Sequence, residues 1–117
     1  MSNFYWKAAS ALGATGVGLA AFGSHGLAKY VDDPNKIKSW STAAHFQLLN
    51  SVALLVLSST PRRVHPAAMP LILGGTVAFS GSIYLLTLKK REQFRFLGPI
   101  TPLGGVLLMG GWAALML

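Results

Sequence analysis

Residues 64–88, VHPAAMPLILGGTVAFSGSIYLLTL, contain no Asp, Glu, Lys or Arg. A helix needs about 20 predominantly apolar residues to cross the hydrocarbon layer of a bilayer, and this stretch is long enough. Working outward, residues 8–28, 39–61 and 96–117 are equally free of charge. The four stretches fill more than three quarters of the 117 residues, which leaves no room for a water-soluble catalytic domain. Composition agrees: 52% of the chain is hydrophobic and 11% is charged, against about a quarter charged in soluble domains. The expectation is an all-α integral membrane four-helix bundle, a single domain over 1–117. Its spans lie near 8–28, 39–60, 66–88 and 96–116 and run antiparallel, up-down-up-down.

The ends of the spans carry their own signals. Phe4, Tyr5, Trp6 and Lys7 form an aromatic and basic anchor suited to the water boundary, and Trp40 is expected to mark the next interface. The first apolar stretch continues to Ala28 through Gly23, Ser24, His25 and Gly26, which reads as a retained helix rather than a cleaved signal. Asp32-Asp33-Pro34-Asn35 is a turn cluster that ends the first span. Short links at Arg62-Arg63 and over residues 89–95 make the second, third and fourth spans antiparallel neighbours. Pro66 and Pro70 fall in or near the first turn of the third span, and Pro99 and Pro102 early in the fourth.

The net charge of +7 belongs to these ends, so it points to topology and anionic headgroups rather than to nucleic acid. Lys29, Lys36, Lys38, Lys89, Lys90, Arg91 and Arg95 lie in or beside the first and third loops, against Lys7, Arg62 and Arg63 on the other side. The positive-inside rule then places both termini outside, or in the intermembrane space of a mitochondrion. Lys29, Lys38, Lys89, Lys90 and Arg91 are the expected headgroup contacts.

Helices in lipid associate through close packing and interhelical hydrogen bonds, both favoured by small residues. Gly13, Gly16 and Gly23 share one stripe of the first span with Ala9 and Ala20, while Ala14, Gly18, Ala21 and His25 share the opposite one. Gly74 and Gly81 repeat the device in the third span, and Gly104 and Gly111 in the fourth. These stripes suit packing within one bundle, with a dimer seam as the alternative.

No Asp, Glu, Lys or Arg lies inside a span, so a carboxylate-driven pump loses its chief support. The intramembrane polar groups are His25, His45, Gln47, Asn50, Ser80, Tyr84 and Thr101, together with smaller hydroxyls. The seven named residues lie toward the first and third loops. His45 points nearly opposite Gln47 and Asn50 on the helical wheel and is expected to snorkel toward headgroups. His25, Gln47, Asn50, Ser80, Tyr84 and Thr101 form the candidate polar pocket. Either they enclose water, or they pair with one another and with backbone carbonyls to fix register; the second outcome is expected, because the side chains are short and uncharged.

Other chemistry finds little support. With no cysteine there is no disulfide, thiolate nucleophile or Cys-held cluster. Two intramembrane histidines fall short of a metal site, so no cofactor and no metal is expected. Gly74-Gly75 and Gly104-Gly105 have neither the preceding strand nor the following Lys-Ser/Thr of a phosphate loop. The acids Asp32, Asp33 and Glu92 sit in loops, where they complete no triad.

Several motifs resemble one family. They are Ala21-Phe22-Gly23-Ser24-His25-Gly26; Gln47 with Ser51-Val52-Ala53-Leu54-Leu55; Phe79-Ser80-Gly81-Ser82 with Tyr84; and Thr101-Pro102 with Gly104-Gly105 and Gly111-Trp112. In this order they resemble the four-span small membrane proteins of unknown function that include bacterial members and eukaryotic transmembrane protein 256. The resemblance covers nearly the whole chain and implies four helices, a mitochondrial membrane in eukaryotes, and no established activity. Many members carry histidine where this chain has Asn50, which weakens a family-wide proton or metal role at that position. The leading functional expectation is a non-enzymatic accessory subunit or assembly factor of a larger, respiratory-type inner-membrane complex, its partners being lipid and other membrane subunits. The alternative is a minimal transporter or channel for a small solute or ion, and a bacterial plasma membrane is the alternative location.

Overall fold

The computed structural model describes residues 3–88 and 99–117, so Lys89, Lys90 and Arg91 lie outside the described residues. Among those described, the fold is all-α. α1 spans Asn3–His25, a short 3-10 turn Leu27–Lys29 follows, and α2 spans Pro34–Ser59, α3 Ala68–Leu88 and α4 Ile100–Ala114.

The turn cluster after α1 works differently from its reading in sequence. Pro34 opens α2 rather than merely ending the first span. Asp33 is the N-cap and its carboxylate accepts the backbone N–H of Asn35 at 2.9 Å, while Pro34 sits where a helix needs no N–H donor. α2 therefore starts five residues ahead of the expected span and takes Lys36 and Lys38 into its first turns. Trp40, expected at an interface, is instead 1% exposed. Its ring packs between Phe22 and Tyr84, at 5.6 and 4.7 Å between centroids.

Length and hydropathy qualify two of the four helices, α2 and α3, to cross a membrane unaided. α1 has 23 residues but no continuous stretch as apolar as theirs, and α4 is apolar but has 15 residues, roughly 22 Å at 1.5 Å per residue. Consecutive helices pack on one another, α1 on α2, α2 on α3 and α3 on α4. They run antiparallel: Leu19 meets Trp40 and Leu12 meets Gln47, then Ala43 meets Ser80, and Ser82 meets Thr101. The described chain measures 46 × 26 × 19 Å, a slab elongated along the helix axes. Ala9, Leu54, Ile72 and Leu108, one from each helix, make a core cluster, and Leu27, Val31 and Trp40 make a second at the first-loop end.

Small residues set the helix spacing, although not at every expected position. A Cβ at Gly16 would lie 2.9 Å from Leu48 and one at Gly23 would lie 2.6 Å from Trp40, whereas at Gly13 it would meet Ser51 at an ordinary 3.5 Å. α3 and α4 approach backbone to backbone: a Cβ at Gly104 would stand 2.5 Å from the Phe79 nitrogen, and one at Gly111 2.9 Å from the Ile72 nitrogen. The reciprocal glycine on α3 is Gly75, whose added Cβ would stand 2.8 Å from the Leu108 nitrogen. Gly74 and Gly81 do not take part, because a Cβ at either meets nothing within 4 Å among the described residues. Gly74 is turned about 100° from Gly75 on the helix and so leaves the face that α4 covers.

Candidate functional site

The polar residues of the spans fall into separate pairs. Gln47, on the buried face of α2, donates from Nε2 to the Leu12 carbonyl at 2.9 Å and to Thr15 Oγ1 at 2.8 Å, both on α1. Its Oε1 accepts the Tyr84 hydroxyl of α3 at 2.8 Å. One side chain thus ties three helices, and Thr15 in turn donates to its own helix at Ala11. Above it, toward the first loop, the Trp40 indole N–H donates to the Leu19 carbonyl at 2.8 Å, in space left open by Gly23.

Asn50 is one turn further along α2 and forms a different node. Its Nδ2 donates to the Phe46 carbonyl at 2.8 Å and its Oδ1 accepts the Trp112 indole N–H at 2.9 Å. Ser80 donates to the Ala43 carbonyl at 2.7 Å, fixing α3 to α2, and Ser82 pairs with Thr101 to fix α3 to α4. Thr76 and Ser51 bond back into their own helices.

His25 joins none of these nodes. It is exposed at the end of α1, where its Nδ1–H donates to the Ala21 carbonyl at 3.0 Å. His45 is also exposed and packs edge-on against Phe46. The six candidate residues therefore do not enclose a common cavity. Gln47 and Tyr84 touch each other, while Asn50, Ser80 and Thr101 each have another partner. Sequence reading omitted Thr15, Ser82, Trp40 and Trp112 as members of the network. In sequence Trp40 reads as a boundary anchor and Trp112 as part of a motif, and no periodicity distinguishes a buried indole N–H from one at the boundary.

The arrangement is suited to fixing register. Every buried polar side chain named here reaches a partner directly, as a low-dielectric interior requires. Among the described residues no three His, Asp or Glu side chains come together to hold a metal. A hollow of about 810 Å³ is an apolar groove between α2 and α4, floored by Phe79 and open at the surface.

A family profile described as "Protein of unknown function (DUF423)" matches residues 19–105, from late α1 into α4. The chain belongs to the DUF423 family. Its relatives reach from bacteria to yeast and are named as membrane proteins. A UPF0382 membrane protein of Schizosaccharomyces pombe is 41% identical over 119 residues, covering 95% of this chain and 97% of the relative. A Staphylococcus aureus UPF0382 membrane protein is 39% identical over 86% of this chain and 82% of its own length. The Bacillus subtilis UPF0382 membrane protein YwdK is 35% identical over 82% and 79%. No solved structure matches. This DUF423 chain is accordingly an integral membrane protein of a family without an assigned activity. The matched segment holds Gln47, Asn50, Ser80, Ser82, Tyr84 and Thr101, whereas Leu12, Thr15 and Trp112 lie beyond it.

Proposed function

We propose that the chain is a non-enzymatic accessory subunit or assembly factor, inserted as four spans, that packs laterally against a larger respiratory-type inner-membrane complex. The observation that carries this reading is the outward side of α1. Ala14, Gly18 and Ala21 are exposed there at spacings of four and three, and a Cβ at Gly18 would meet nothing within 4 Å among the described residues. The inward side is filled, with Leu48 over Gly16 and Trp40 over Gly23. A small-residue face lets another helix approach closely in lipid. α1 is also long but outside the two helices apolar enough to cross alone, which suits a helix covered by protein.

The direct pairing of Gln47, Asn50, Ser80 and Tyr84 favours this reading over transport, since a solute path needs polar groups left open to water. The yeast relative, alike over nearly the full length, suits a eukaryotic setting, where the membrane is the mitochondrial inner one; the bacterial counterpart is the plasma membrane. The test is Gly18→Leu. On native gels of mildly solubilised membranes the wild-type chain should run with a high-mass complex and the variant should leave it, with thermal stability of the purified chain unchanged. Unaltered comigration of the variant would sink the proposal, as would solute flux through proteoliposomes of the wild-type chain.

A further inference from the structure

A second hollow of about 390 Å³ lies at the first-loop end of the groove between α2 and α4, and Phe79 lines both. The two hollows lie on one side of the slab. On a wheel at 100° per residue, Asn35, Lys38, Ser39 and Thr42 from the upper hollow and Phe46, Leu49 and Asn50 from the lower one fall within about 120° of one face of α2. The α4 residues that line them, from Thr101 to Ala113, likewise share one face.

Both parts expose mostly carbon, and they differ in the polar groups that line them. The lower part is lined by Leu49, Val106, Leu108 and Met109 with little but carbon exposed, and its polar member Asn50 is engaged by Trp112. The upper part carries an ammonium from Lys38, hydroxyls from Ser39 and Thr42, and the amide of Asn35, with no acidic residue among the described residues that line it. From Lys38 down to Asn50 is twelve residues of helix, roughly 18 Å, close to the roughly 15 Å of one leaflet's hydrocarbon. The lower hollow by itself, about 810 Å³, falls in the range of small-molecule sites.

We infer that this track binds one anionic phospholipid, its phosphate at Lys38, Ser39 and Thr42 and an acyl chain lying along the groove over Phe79 and Leu108 between α2 and α4. Charge complementarity selects this occupant over a partner helix: an apolar helix would fill the lower part and leave the cationic end unmatched, whereas a phospholipid satisfies both. The site is separate from the outward face of α1, so its test does not depend on an accessory role.

Native mass spectrometry of the full chain, released from mild detergent loaded with equal phosphatidylglycerol and phosphatidylcholine, tests it. Wild type should retain one phosphatidylglycerol in preference to phosphatidylcholine. Lys38→Gln should reduce that preference about fivefold, the factor set by one lysine at a membrane surface, with thermal stability unchanged because Lys38 is exposed. Gly105→Leu should abolish retention of both lipids; its Cβ would rest 3.8 Å from the Phe79 ring, so the added side chain enters the groove without forcing the helices apart. Equal retention of the two lipids by wild type, or a preference unmoved by Lys38→Gln, overturns the site. So does a photo-crosslinker at Leu49 that couples to a protein chain instead of lipid, which would make the groove a helix-docking surface.

Discussion

The Trp112 indole N–H donates to Asn50 Oδ1 at 2.9 Å, joining α4 to α2, two helices that are not neighbours in the chain. α4 rests on α3 through the glycine seam, and this bond adds a polar tie from α4 to α2 beside the groove. Asn50 is 1% exposed, and among the described residues its carboxamide oxygen accepts from no other donor. Trp112→Phe should therefore cost about 1 kcal/mol in bundle stability, near the upper part of the range for hydrogen bonds between membrane helices. A double-mutant cycle with Asn50→Leu, read by unfolding in detergent, should show that the two losses do not add. Asn50→His should be tolerated better than Asn50→Leu, because an imidazole nitrogen can still accept the indole proton.

Gln47 should be the most sensitive polar position in the protein. Gln47→Leu removes three hydrogen bonds to two helices and strands the Tyr84 hydroxyl, for a loss of about 2–3 kcal/mol, whereas Tyr84→Phe removes one bond and should cost about 1 kcal/mol. Thermal unfolding of both variants in the same detergent checks the order. Equal stability of Gln47→Leu and wild type would show that the three-helix node contributes nothing.

Glycines one residue apart should behave oppositely. Gly75→Leu and Gly104→Leu drive carbon into opposing backbone at 2.8 and 2.5 Å and should separate α3 from α4, while Gly74→Leu and Gly18→Leu enter open space and should leave the melting temperature within about 2 °C of wild type. Helical content by circular dichroism, followed with temperature, distinguishes the two groups.

This contrast shows what the sequence could and could not disclose. Four charge-free stretches sufficed for helix number and class, because the cost of an unsatisfied backbone in lipid leaves few alternatives. Boundaries were less legible: Asp32-Asp33-Pro34-Asn35 contains both a stop for one helix and the cap of the next, and only the Asp33 to Asn35 bond decides where α2 begins. Depth placed Gln47, Asn50, Ser80, Tyr84 and Thr101 in the same half of the membrane, yet depth says nothing about azimuth between helices. The helix rotations pair Ser80 with a backbone carbonyl and Thr101 with Ser82, and leave His25 outside. Gly74-Gly75 is ambiguous for the same reason, since one of two adjacent glycines faces α4 and sequence spacing supports either.

The orientation of the bundle is testable because the chain has no cysteine, so any introduced thiol is the sole reporter. Lys29, Lys36 and Lys38 flank the first loop, and Lys89, Lys90, Arg91 and Arg95 follow α3, whereas Lys7, Arg62 and Arg63 belong to the opposite end. Since translocation retains Lys- and Arg-rich loops on the inner face, the seven-to-three imbalance predicts that the Asn35 end lies inside and the Arg63 end outside. Both positions are exposed, and the hydrogen bond from Asn35 to Asp33 uses its backbone N–H, which a cysteine keeps. In sealed, right-side-out vesicles a membrane-impermeant maleimide should label Arg63→Cys at once and Asn35→Cys only after permeabilisation. In mitochondria the same order should appear on rupturing the outer membrane and then the inner one. Labelling of both cysteines before permeabilisation would place residues 35 and 63 on one side and remove α2 as a complete span, and the reverse order would invert the bundle.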